Sequence, residues 1–289
     1  MRELRFEIST LCMYECKICP HKRMIREKKI MDTKVFISIL DRLLKEIEPE
    51  YINFSGMGEP LLDDDLEMKI GYARGKGLKP SIVTNGFMLN PERFKRLQDS
   101  GCETIRISFL GDTPLIYKEK HGRDAFGIVY KNYLDILTLR TTCKVHIYAV
   151  GDNAEVYKEL FSKADVLEVW RPHNWATAFM IRPIQNNQKL TCNRILSNVL
   201  QILVDGRLTI CCFDYEAELV YGNTITDTLK EIYAGEVFQK ILLAHETGYY
   251  AGMICARCDQ RNGQNNSLVY SSVNSPDRLT RTSTSFMKI

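Results

Sequence analysis

Apolar and polar positions follow two alternating periods along the first part of the chain. Short apolar runs typical of buried strands alternate with longer stretches whose apolar residues recur every three or four positions, as on one helix face. The predicted strands are 4–9, 51–55, 80–84, 104–109, 143–150 and 166–171. The predicted helices are 33–48, 66–76, 90–99, 114–121, 126–140 and 155–163. This order indicates parallel strands joined by right-handed crossovers, so we expect the α/β class and a partial (β/α)6 TIM-type barrel.

The pattern changes after Trp170. Two apolar runs flank Asp205-Gly206, a dipeptide typical of tight hairpin turns. The hairpin strands are predicted at 201–204 and 207–213, and short helices at 226–234 and 238–244. From Gly263 onward the chain is rich in Asn, Ser and Thr, which predicts a loosely ordered tail. The expected domains are a barrel over 1–185, a hairpin-and-helix domain over 186–262 and a polar tail over 263–289.

Chemically versatile side chains follow the ends of the predicted barrel strands. These residues are Cys12, Gly58, Asn85, Ser108 and Arg171. In barrels of this kind the active site lies at the carboxyl ends of the strands. We therefore expect these residues to converge on one mouth of the barrel.

Composition narrows the classes of function. A net charge of +3 over 289 residues favours neither nucleic acid nor an anionic membrane as a partner. Charges interrupt the apolar residues at the N-terminus, and no later apolar run has the length of a membrane span, so we expect a cytoplasmic protein. The basic stretch 21–29 reads as a solvated loop. Ten cysteines in that compartment indicate metal binding rather than disulfides.

Three cysteines lie close together directly after the first predicted strand. Three residues separate Cys12 from Cys16, and two separate Cys16 from Cys19. Thiolates at this spacing can hold three corners of a cubane [4Fe–4S] cluster and leave the fourth iron open to a cofactor or substrate. The alternative is a zinc site of three cysteines and His21.

This CxxxCxxC motif resembles the signature of the radical S-adenosylmethionine (AdoMet) superfamily. The resemblance implies that Cys12, Cys16 and Cys19 bind a [4Fe–4S] cluster whose open iron is chelated by the methionine part of AdoMet. It also implies that an electron from the cluster breaks the C5′–S bond, and that the resulting 5′-deoxyadenosyl radical removes a hydrogen atom from the substrate. Ile18 is then expected to pack on the adenine.

Four further segments resemble AdoMet-binding positions of the superfamily. The segment Gly56-Met57-Gly58-Glu59-Pro60 resembles its GGEP element, with Met57 in place of the first glycine, and is expected to bind the methionine ammonium group. Asn85 and Ser108 resemble positions near the ribose and carboxylate, although both also suit caps at strand ends. Arg123 is a candidate for binding the methionine carboxylate.

A second set of cysteines lies in and after the predicted hairpin. From spacing alone, a zinc ion and an iron–sulfur cluster are both possible. The set resembles the Twitch subclass, a shortened relative of SPASM domains, which implies an auxiliary [4Fe–4S] cluster with cysteine at every iron. The implied ligands are Cys192, Cys211, Cys255 and Cys258. Cys212 is then a core residue, a substitute ligand or a hydrogen-atom donor, and Cys102 and Cys143 are buried and inert.

The combination of one auxiliary cluster and a short N-terminus resembles the 2-deoxy-scyllo-inosamine dehydrogenases of the superfamily. The first strand begins too close to Met1 for a leader-peptide-binding domain. The resemblance implies that an alcohol of a small polyol, aminocyclitol or sugar is oxidised to a ketone. It also implies an electron donor such as flavodoxin or ferredoxin, and no membrane or nucleic-acid partner.

The segment after the last barrel strand offers candidates for the substrate chemistry. Arg171 is expected to stabilise an alkoxide and His173 to carry a proton. Trp170 and Trp175 either stack on the substrate or anchor the second domain. Three alternatives stay open: an epimerase in which Cys212 returns a hydrogen atom, a peptide maturase, and a non-enzymatic binding module stapled by zinc.

Overall fold

Ten strands and eight α-helices make up the regular structure of the described residues, which are 2–179, 188–195, 199–262 and 267–273 of a computed structural model. The first six strands are β1 (Glu3–Phe6), β2 (Tyr51–Phe54), β3 (Lys79–Thr84), β4 (Thr104–Phe109), β5 (Lys144–Val150) and β6 (Val166–Trp170). The later strands are β7 (Val199–Ile202), β8 (Arg207–Thr209), β9 (Val220–Asn223) and β10 (Leu268–Ser271). All ten belong to one sheet, in the order β10-β6-β5-β4-β3-β2-β1-β7-β8-β9.

Strands β1 to β6 pair in parallel with one another in chain order, and across the described ranges the sheet does not close. This arrangement confirms the predicted α/β class and the partial TIM-type barrel. The helices are α1 (Thr33–Leu43), α2 (Leu66–Gly75), α3 (Pro91–Asp99), α4 (Pro114–His121), α5 (Phe126–Leu139), α6 (Glu155–Leu160), α7 (Leu229–Ala234) and α8 (Glu236–Thr247). None of the helices in this part of the chain has the length and apolarity needed to cross a bilayer.

Helix α1 illustrates how the sequence builds the barrel layer. The Asp32 side chain accepts hydrogen bonds from the backbone N–H groups of Lys34 and Val35 and so caps the helix. The buried residues recur at helical spacing, and they are Phe36, Ile39, Leu40 and Leu43. The Phe36 ring meets the ring of Phe6 on β1 edge to face, with centroids 5.0 Å apart. Amphipathic helices of this kind cover the sheet and form one core with it.

The later strands extend the barrel sheet in two directions. Strand β7 pairs in parallel with β1, and β8 and β9 follow it as antiparallel neighbours, so the predicted hairpin continues the barrel sheet. At the opposite edge, β10 pairs antiparallel with β6. Strand β10 lies in the segment predicted to be a loosely ordered tail, and that prediction is wrong for Leu268–Ser271. Its apolar run is too short to stand out from the polar residues around it.

A buried ion pair links the residue after β1 to the basic stretch and to the segment between β8 and β9. The guanidinium of Arg26 forms two hydrogen bonds with the Glu7 carboxylate, at 2.9 and 3.0 Å. Their side chains are only 7% and 2% exposed. Glu7 also accepts from the Met57 N–H, and Arg26 donates to the carbonyl oxygen of Tyr215. The prediction of a solvated loop over 21–29 is therefore wrong at Arg26, because its side chain is buried against the Glu7 carboxylate.

Replacing Arg26 by methionine is expected to destabilise the protein by about 3–5 kcal/mol, because it leaves the Glu7 carboxylate buried without its partner. The midpoint of chemical denaturation, followed by circular dichroism on the cluster-loaded protein, measures the change. Lys29→Met is the matched control, since Lys29 pairs with Glu27 at the surface, where such pairs contribute little. Equal midpoints for the two variants would contradict a structural role of the buried pair.

Candidate active site

A cavity of about 560 Å³ opens at the carboxyl ends of the barrel strands. It brings together most of the site residues expected from the sequence. Those that line it are Cys12, Cys16, Ile18, Cys19, Gly56, Met57, Gly58, Glu59, Asn85, Ser108, Arg171, His173 and Cys212. Parallel strands place their ends at one edge of the sheet, so residues far apart in sequence meet here.

The cysteine triplet lies on the loop after β1, at one side of this cavity. Burial, together with the neighbouring thiols of Cys19 and Cys12, raises the pKa of Cys16, and burial raises the pKa of Cys19 to about 11. Thiols with raised pKa values must lose protons before they can bind metal, so cluster binding here releases protons. All three cysteines line the same cavity, and the Cys19 N–H donates to the Cys16 carbonyl oxygen at 3.0 Å.

The structure argues against a zinc site at the triplet. His21, the proposed fourth zinc ligand, lies 2.8 Å through Nε2 from the carbonyl oxygen of Thr10, to which it donates a hydrogen bond. Among the described residues, no three Cys, His, Asp or Glu side chains converge closely enough to hold a single metal ion. In a cubane each thiolate binds a different iron, so the sulfurs need not converge on one point. The donor set therefore fits a [4Fe–4S] cluster.

The loop after β2 packs directly on the cysteine loop. The N–H groups of Gly58 and Glu59 donate to the carbonyl oxygens of Ser9 and Leu11, at 3.1 and 2.7 Å. A Cβ at position 58 would lie 2.4 Å from the Ser9 carbonyl oxygen, so this close approach requires glycine. Met57, which replaces a glycine of the family element, is buried. The two loops thus form one continuous wall of the cavity.

Glu59 joins this wall to the end of β3. Its buried carboxylate accepts hydrogen bonds from the Thr84 hydroxyl at 2.6 Å and from the Asn85 N–H at 2.8 Å. It also accepts from the N–H of Leu61. Burial raises the pKa of Glu59, and these three hydrogen bonds oppose that shift. Glu59 therefore fixes the position of Asn85 in addition to lining the cavity.

Two residues expected to bind AdoMet lie outside the cavity lining. Pro60 is buried and begins a single 3-10 turn. Arg123 donates a hydrogen bond to the carbonyl oxygen of Met13 at 3.1 Å, and its guanidinium lies over the Phe87 ring at 4.5 Å. These contacts hold Arg123 against the outer side of the cysteine loop. Through these contacts Arg123 supports the cysteine loop, and its assignment to the methionine carboxylate stays a prediction.

His121, which no sequence motif marks, contacts the cysteine triplet. Its Nδ1 lies 3.2 Å from the Cys16 sulfur, and its Nε2 accepts a hydrogen bond from the Leu110 N–H at 3.1 Å. Burial lowers the pKa of His121 to about 3. The imidazole therefore stays neutral beside the cysteine.

A second, smaller cavity collects the four late cysteines. Those that line it are Cys192, Cys211, Cys255 and Cys258. Burial raises the pKa of Cys255 to about 12 and that of Cys258 to about 11, and the Cys192 thiol contributes to both shifts. Four cysteines that line one pocket suit a fully cysteine-ligated cluster. Cys212 instead lines the large cavity, with Nη1 of Arg194 4.0 Å from its sulfur.

The segment after β6 contacts both cysteine regions. The Trp175 indole N–H donates to the carbonyl oxygen of Ile18 at 2.7 Å, and the His173 ring lies 3.9 Å from the Phe213 ring centroid. His173 Nδ1 accepts from the Trp175 N–H. The Trp175 contacts favour the anchoring alternative over stacking on a substrate. Arg171 lies at the rim and forms an ion pair with Asp152 at 2.9 Å.

Sequence reasoning missed several charged and polar residues of the cavity wall. These residues are Arg5, Tyr148, Glu168 and Arg194. Tyr148 and Glu168 are direct partners on β5 and β6 and face the cavity together. Side chains two positions apart on a strand share a face. The sequence alone could therefore have placed Glu168 on the same face as Trp170. Glu168 is buried, and its Oε2 accepts a hydrogen bond from the Trp170 indole N–H at 3.2 Å.

A single layer of side chains separates the two cavities. Arg194, Phe213 and Gln260 line both of them. The Arg194 guanidinium lies over the Phe213 ring at 4.5 Å. A molecule in the large cavity therefore sits between the cysteine triplet on one side and the late cysteines on the other.

Two family profiles match the chain. The profile of the radical SAM superfamily matches residues 6–160, and SPASM, the profile of an iron-sulfur cluster-binding domain, matches residues 192–259. The first range contains the cysteine triplet, and the second contains all four late cysteines.

Curated relatives match part of the chain. A tungsten-containing aldehyde ferredoxin oxidoreductase cofactor-modifying protein of Pyrococcus furiosus is 31% identical over 163 residues, which are 56% of this chain and 46% of that protein. The mycofactocin maturase MftC of Mycobacterium ulcerans is 27% identical over 128 residues, 44% of this chain and 34% of that protein. The matched part therefore spans less than half the length of these relatives.

Solved structures share the fold over most of the chain. BtrN in complex with AdoMet and 2-DOIA has a TM-score of 0.65 and 19% identity, covering 90% of this chain and 93% of BtrN. SuiB of Streptococcus suis, bound to the precursor peptide SuiA, has a TM-score of 0.67 and 14% identity, with 89% and 69% covered. Native anSMEcpe with AdoMet and the Cp18Cys peptide has a TM-score of 0.66 and 17% identity, with 92% and 91% covered. Identities this low establish a common fold only.

Proposed function

Because the chain belongs to the radical SAM superfamily, we propose that it oxidises an alcohol group of a small polyol, aminocyclitol or sugar to a ketone. The cofactors of such a protein are a [4Fe–4S] cluster, AdoMet and, with its SPASM region, auxiliary iron–sulfur. When bound, the first [4Fe–4S] cluster supplies the electron that cleaves AdoMet to methionine and the 5′-deoxyadenosyl radical. We assign the first cluster to Cys12, Cys16 and Cys19, and one auxiliary cluster to the four late cysteines.

The observation that carries this proposal is the position of the large cavity between the two cysteine sets. An alcohol loses two electrons and two protons when it becomes a ketone. A hydrogen atom passes from the carbinol carbon to the 5′-deoxyadenosyl radical, and a proton and an electron then leave the resulting substrate radical. The thin wall of Arg194, Phe213 and Gln260 gives that electron a short route to an acceptor at the late cysteines.

Glu168 is the best candidate to take the hydroxyl proton. It is a buried carboxylate in the cavity wall, and the Trp170 indole N–H orients it. His173, the candidate from the sequence, stacks on Phe213, and Arg171 pairs with Asp152 at the rim. We therefore assign the base to Glu168, and we assign Arg171 and His173 to the rim and the wall of the cavity.

The size of the cavity favours a small substrate. Its volume of about 560 Å³ lies within the range of small-molecule sites, which is about 300–1,000 Å³. BtrN, whose fold this chain shares, was solved with AdoMet and 2-DOIA. A reducing partner such as flavodoxin or ferredoxin supplies one electron to the first cluster for each AdoMet cleaved. The electron that the substrate radical gives up leaves through the late cysteines to an oxidised carrier of the same kind, so the overall reaction consumes no net reductant.

Deuterium transfer tests the proposal. The reconstituted protein is incubated anaerobically with AdoMet, dithionite and aminocyclitols or polyols that carry deuterium at the carbinol carbons. We expect at least one of them to give 5′-deoxyadenosine containing one deuterium, together with an equal amount of ketone. Unlabelled 5′-deoxyadenosine and no ketone across the whole panel would refute it.

Epimerisation is the alternative that Cys212 raises, because its thiol lines the cavity and is able to return a hydrogen atom to a substrate radical. A dehydrogenase is expected to keep its turnover in Cys212→Ala, whereas an epimerase would stall with a radical on the substrate. Ketone yield and electron paramagnetic resonance distinguish the two. Cys102→Ala is the matched control, since that thiol is buried in the core.

Peptide maturation is the second candidate function. SuiB and anSMEcpe, which share the fold, were solved with peptides, and a curated relative is named as a maturase. Deuterium appearing in 5′-deoxyadenosine from a labelled peptide, and from no small alcohol, would favour it.

A further inference from the structure

His121 forms a hydrogen bond with Cys16, one of the three cysteines assigned to the first cluster. We propose that His121 is a positioning residue that donates Nδ1–H to the Cys16 sulfur and thereby raises the reduction potential of the cluster held by the triplet. The two atoms are 3.2 Å apart, and His121 is only 1% exposed. This role is separate from the proposed substrate reaction and concerns the cluster alone.

The backbone fixes which ring nitrogen carries the proton. The Leu110 N–H donates to Nε2 of His121, so that nitrogen has no hydrogen of its own. In a neutral imidazole the proton then sits on Nδ1, the atom that faces the Cys16 sulfur. The direction of the N–H···S hydrogen bond follows from this geometry without any assumption about pH.

The end of α4 holds the ring in place. The ring lies 4.0 Å from the Tyr117 ring centroid and 5.0 Å from that of Tyr14. The Lys17 N–H donates to the carbonyl oxygen of Lys120 at 2.8 Å, which ties the cysteine loop to the last turn of the helix. Stacking and backbone contacts together leave the imidazole little freedom to turn away from the sulfur.

Hydrogen bonds to ligand sulfurs are among the factors that set the potentials of iron–sulfur clusters. An N–H dipole that points at a sulfur favours the more negative, reduced cluster, and so makes reduction easier. At the late cysteines the corresponding contact is looser: His245 Nε2 lies 4.0 Å from the Cys255 sulfur, and its Nδ1 contacts the Thr191 hydroxyl at 2.7 Å. The longer His245–Cys255 contact therefore serves as a comparison for the His121–Cys16 hydrogen bond within the same protein.

The test compares His121→Gln with His121→Asn in the protein loaded with both clusters, without substrate. Asn places an amide N–H where Nδ1 lies, whereas Gln reaches the Nε2 position and keeps only the contact with Leu110. We expect the equilibrium constant for reducing the first cluster to fall about tenfold in His121→Gln, or about 59 mV for one electron. We expect His121→Asn to stay near the wild-type value. Redox titration followed by electron paramagnetic resonance measures both.

A spectroscopic readout and a control complete the test. Reconstitution in D2O should shift the Fe–S(Cys) stretching bands in resonance Raman spectra of the wild type and of His121→Asn by more than those of His121→Gln, in which the Tyr14 N–H still donates to the Cys12 sulfur. His245→Gln should leave the potential of the first cluster unchanged. A wild-type potential in His121→Gln, or an equal fall in both His121 variants, overturns the proposal. Failure of both to assemble the cluster also overturns it, because His121 would then serve assembly. None of these outcomes depends on the substrate.

Discussion

Replacing Cys12, Cys16 and Cys19 together by alanine is expected to abolish the reductive cleavage of AdoMet and to lower the bound iron from about eight to about four atoms per chain. The triplet is the assigned seat of the cluster that binds AdoMet, and the four late cysteines line a separate cavity. Loss of the first cluster therefore leaves the auxiliary one in place. Iron and sulfide analysis after anaerobic reconstitution, with chromatography of 5′-deoxyadenosine, measures both effects.

The control for this triple variant is the double variant Cys102→Ala and Cys143→Ala. Both thiols are buried, and each contacts a backbone carbonyl oxygen, that of Thr104 for Cys102 and that of Lys144 for Cys143. The control should keep about eight irons and full AdoMet cleavage. If the triple variant also kept its cleavage activity, the assignment of the first cluster would be wrong.

The fold was predictable to the extent that it depends on local periodicity. Strands β2 to β6 and the helices between them lie within about two residues of the predicted bounds at most ends, because clear apolar periods and, for α3, the Asn90 cap mark them. The end of α1 was predicted five residues too late, since the helix stops at Leu43 and not at residue 48. The pairing of β7 with β1 and of β10 with β6 was not predictable in this way. Such pairings join segments that are far apart in sequence, and neither strand carries a local signal of its partner.

The residues of the candidate site also fall into two groups: those that a local motif reveals and those that only the fold brings together. The cysteine triplet and the loop around Gly58 were found because their chemistry depends on short spacings, and the structure brings them into one cavity. Glu168 and His121 were missed because their significance depends on what they face. The contacts of the Arg123 guanidinium with the Met13 carbonyl oxygen and the Phe87 ring were likewise not predictable, because no motif encodes them.

Replacing Glu168 by glutamine is expected to lower ketone formation by about 10²–10⁴-fold, the usual contribution of a positioned general base. The amide keeps the size of the side chain and can accept the hydrogen bond from the Trp170 indole N–H, but it is unable to take the hydroxyl proton. Cleavage of AdoMet without substrate should stay at the wild-type rate, because the cysteine triplet lies on a different loop from β6. The ratio of 5′-deoxyadenosine to ketone should therefore rise.

Glu159→Gln supplies the matched control for this last experiment, since Glu159 is an exposed carboxylate on α6 and the same atoms are exchanged. Parallel assays of 5′-deoxyadenosine and ketone separate three cases. Loss of ketone alone places the proton acceptor at Glu168. Equal loss of both products means that the substitution has disturbed AdoMet binding, and wild-type yields of both mean that another group takes the proton. The third result rejects Glu168 as the base, and the second assigns Glu168 to AdoMet binding in place of proton transfer.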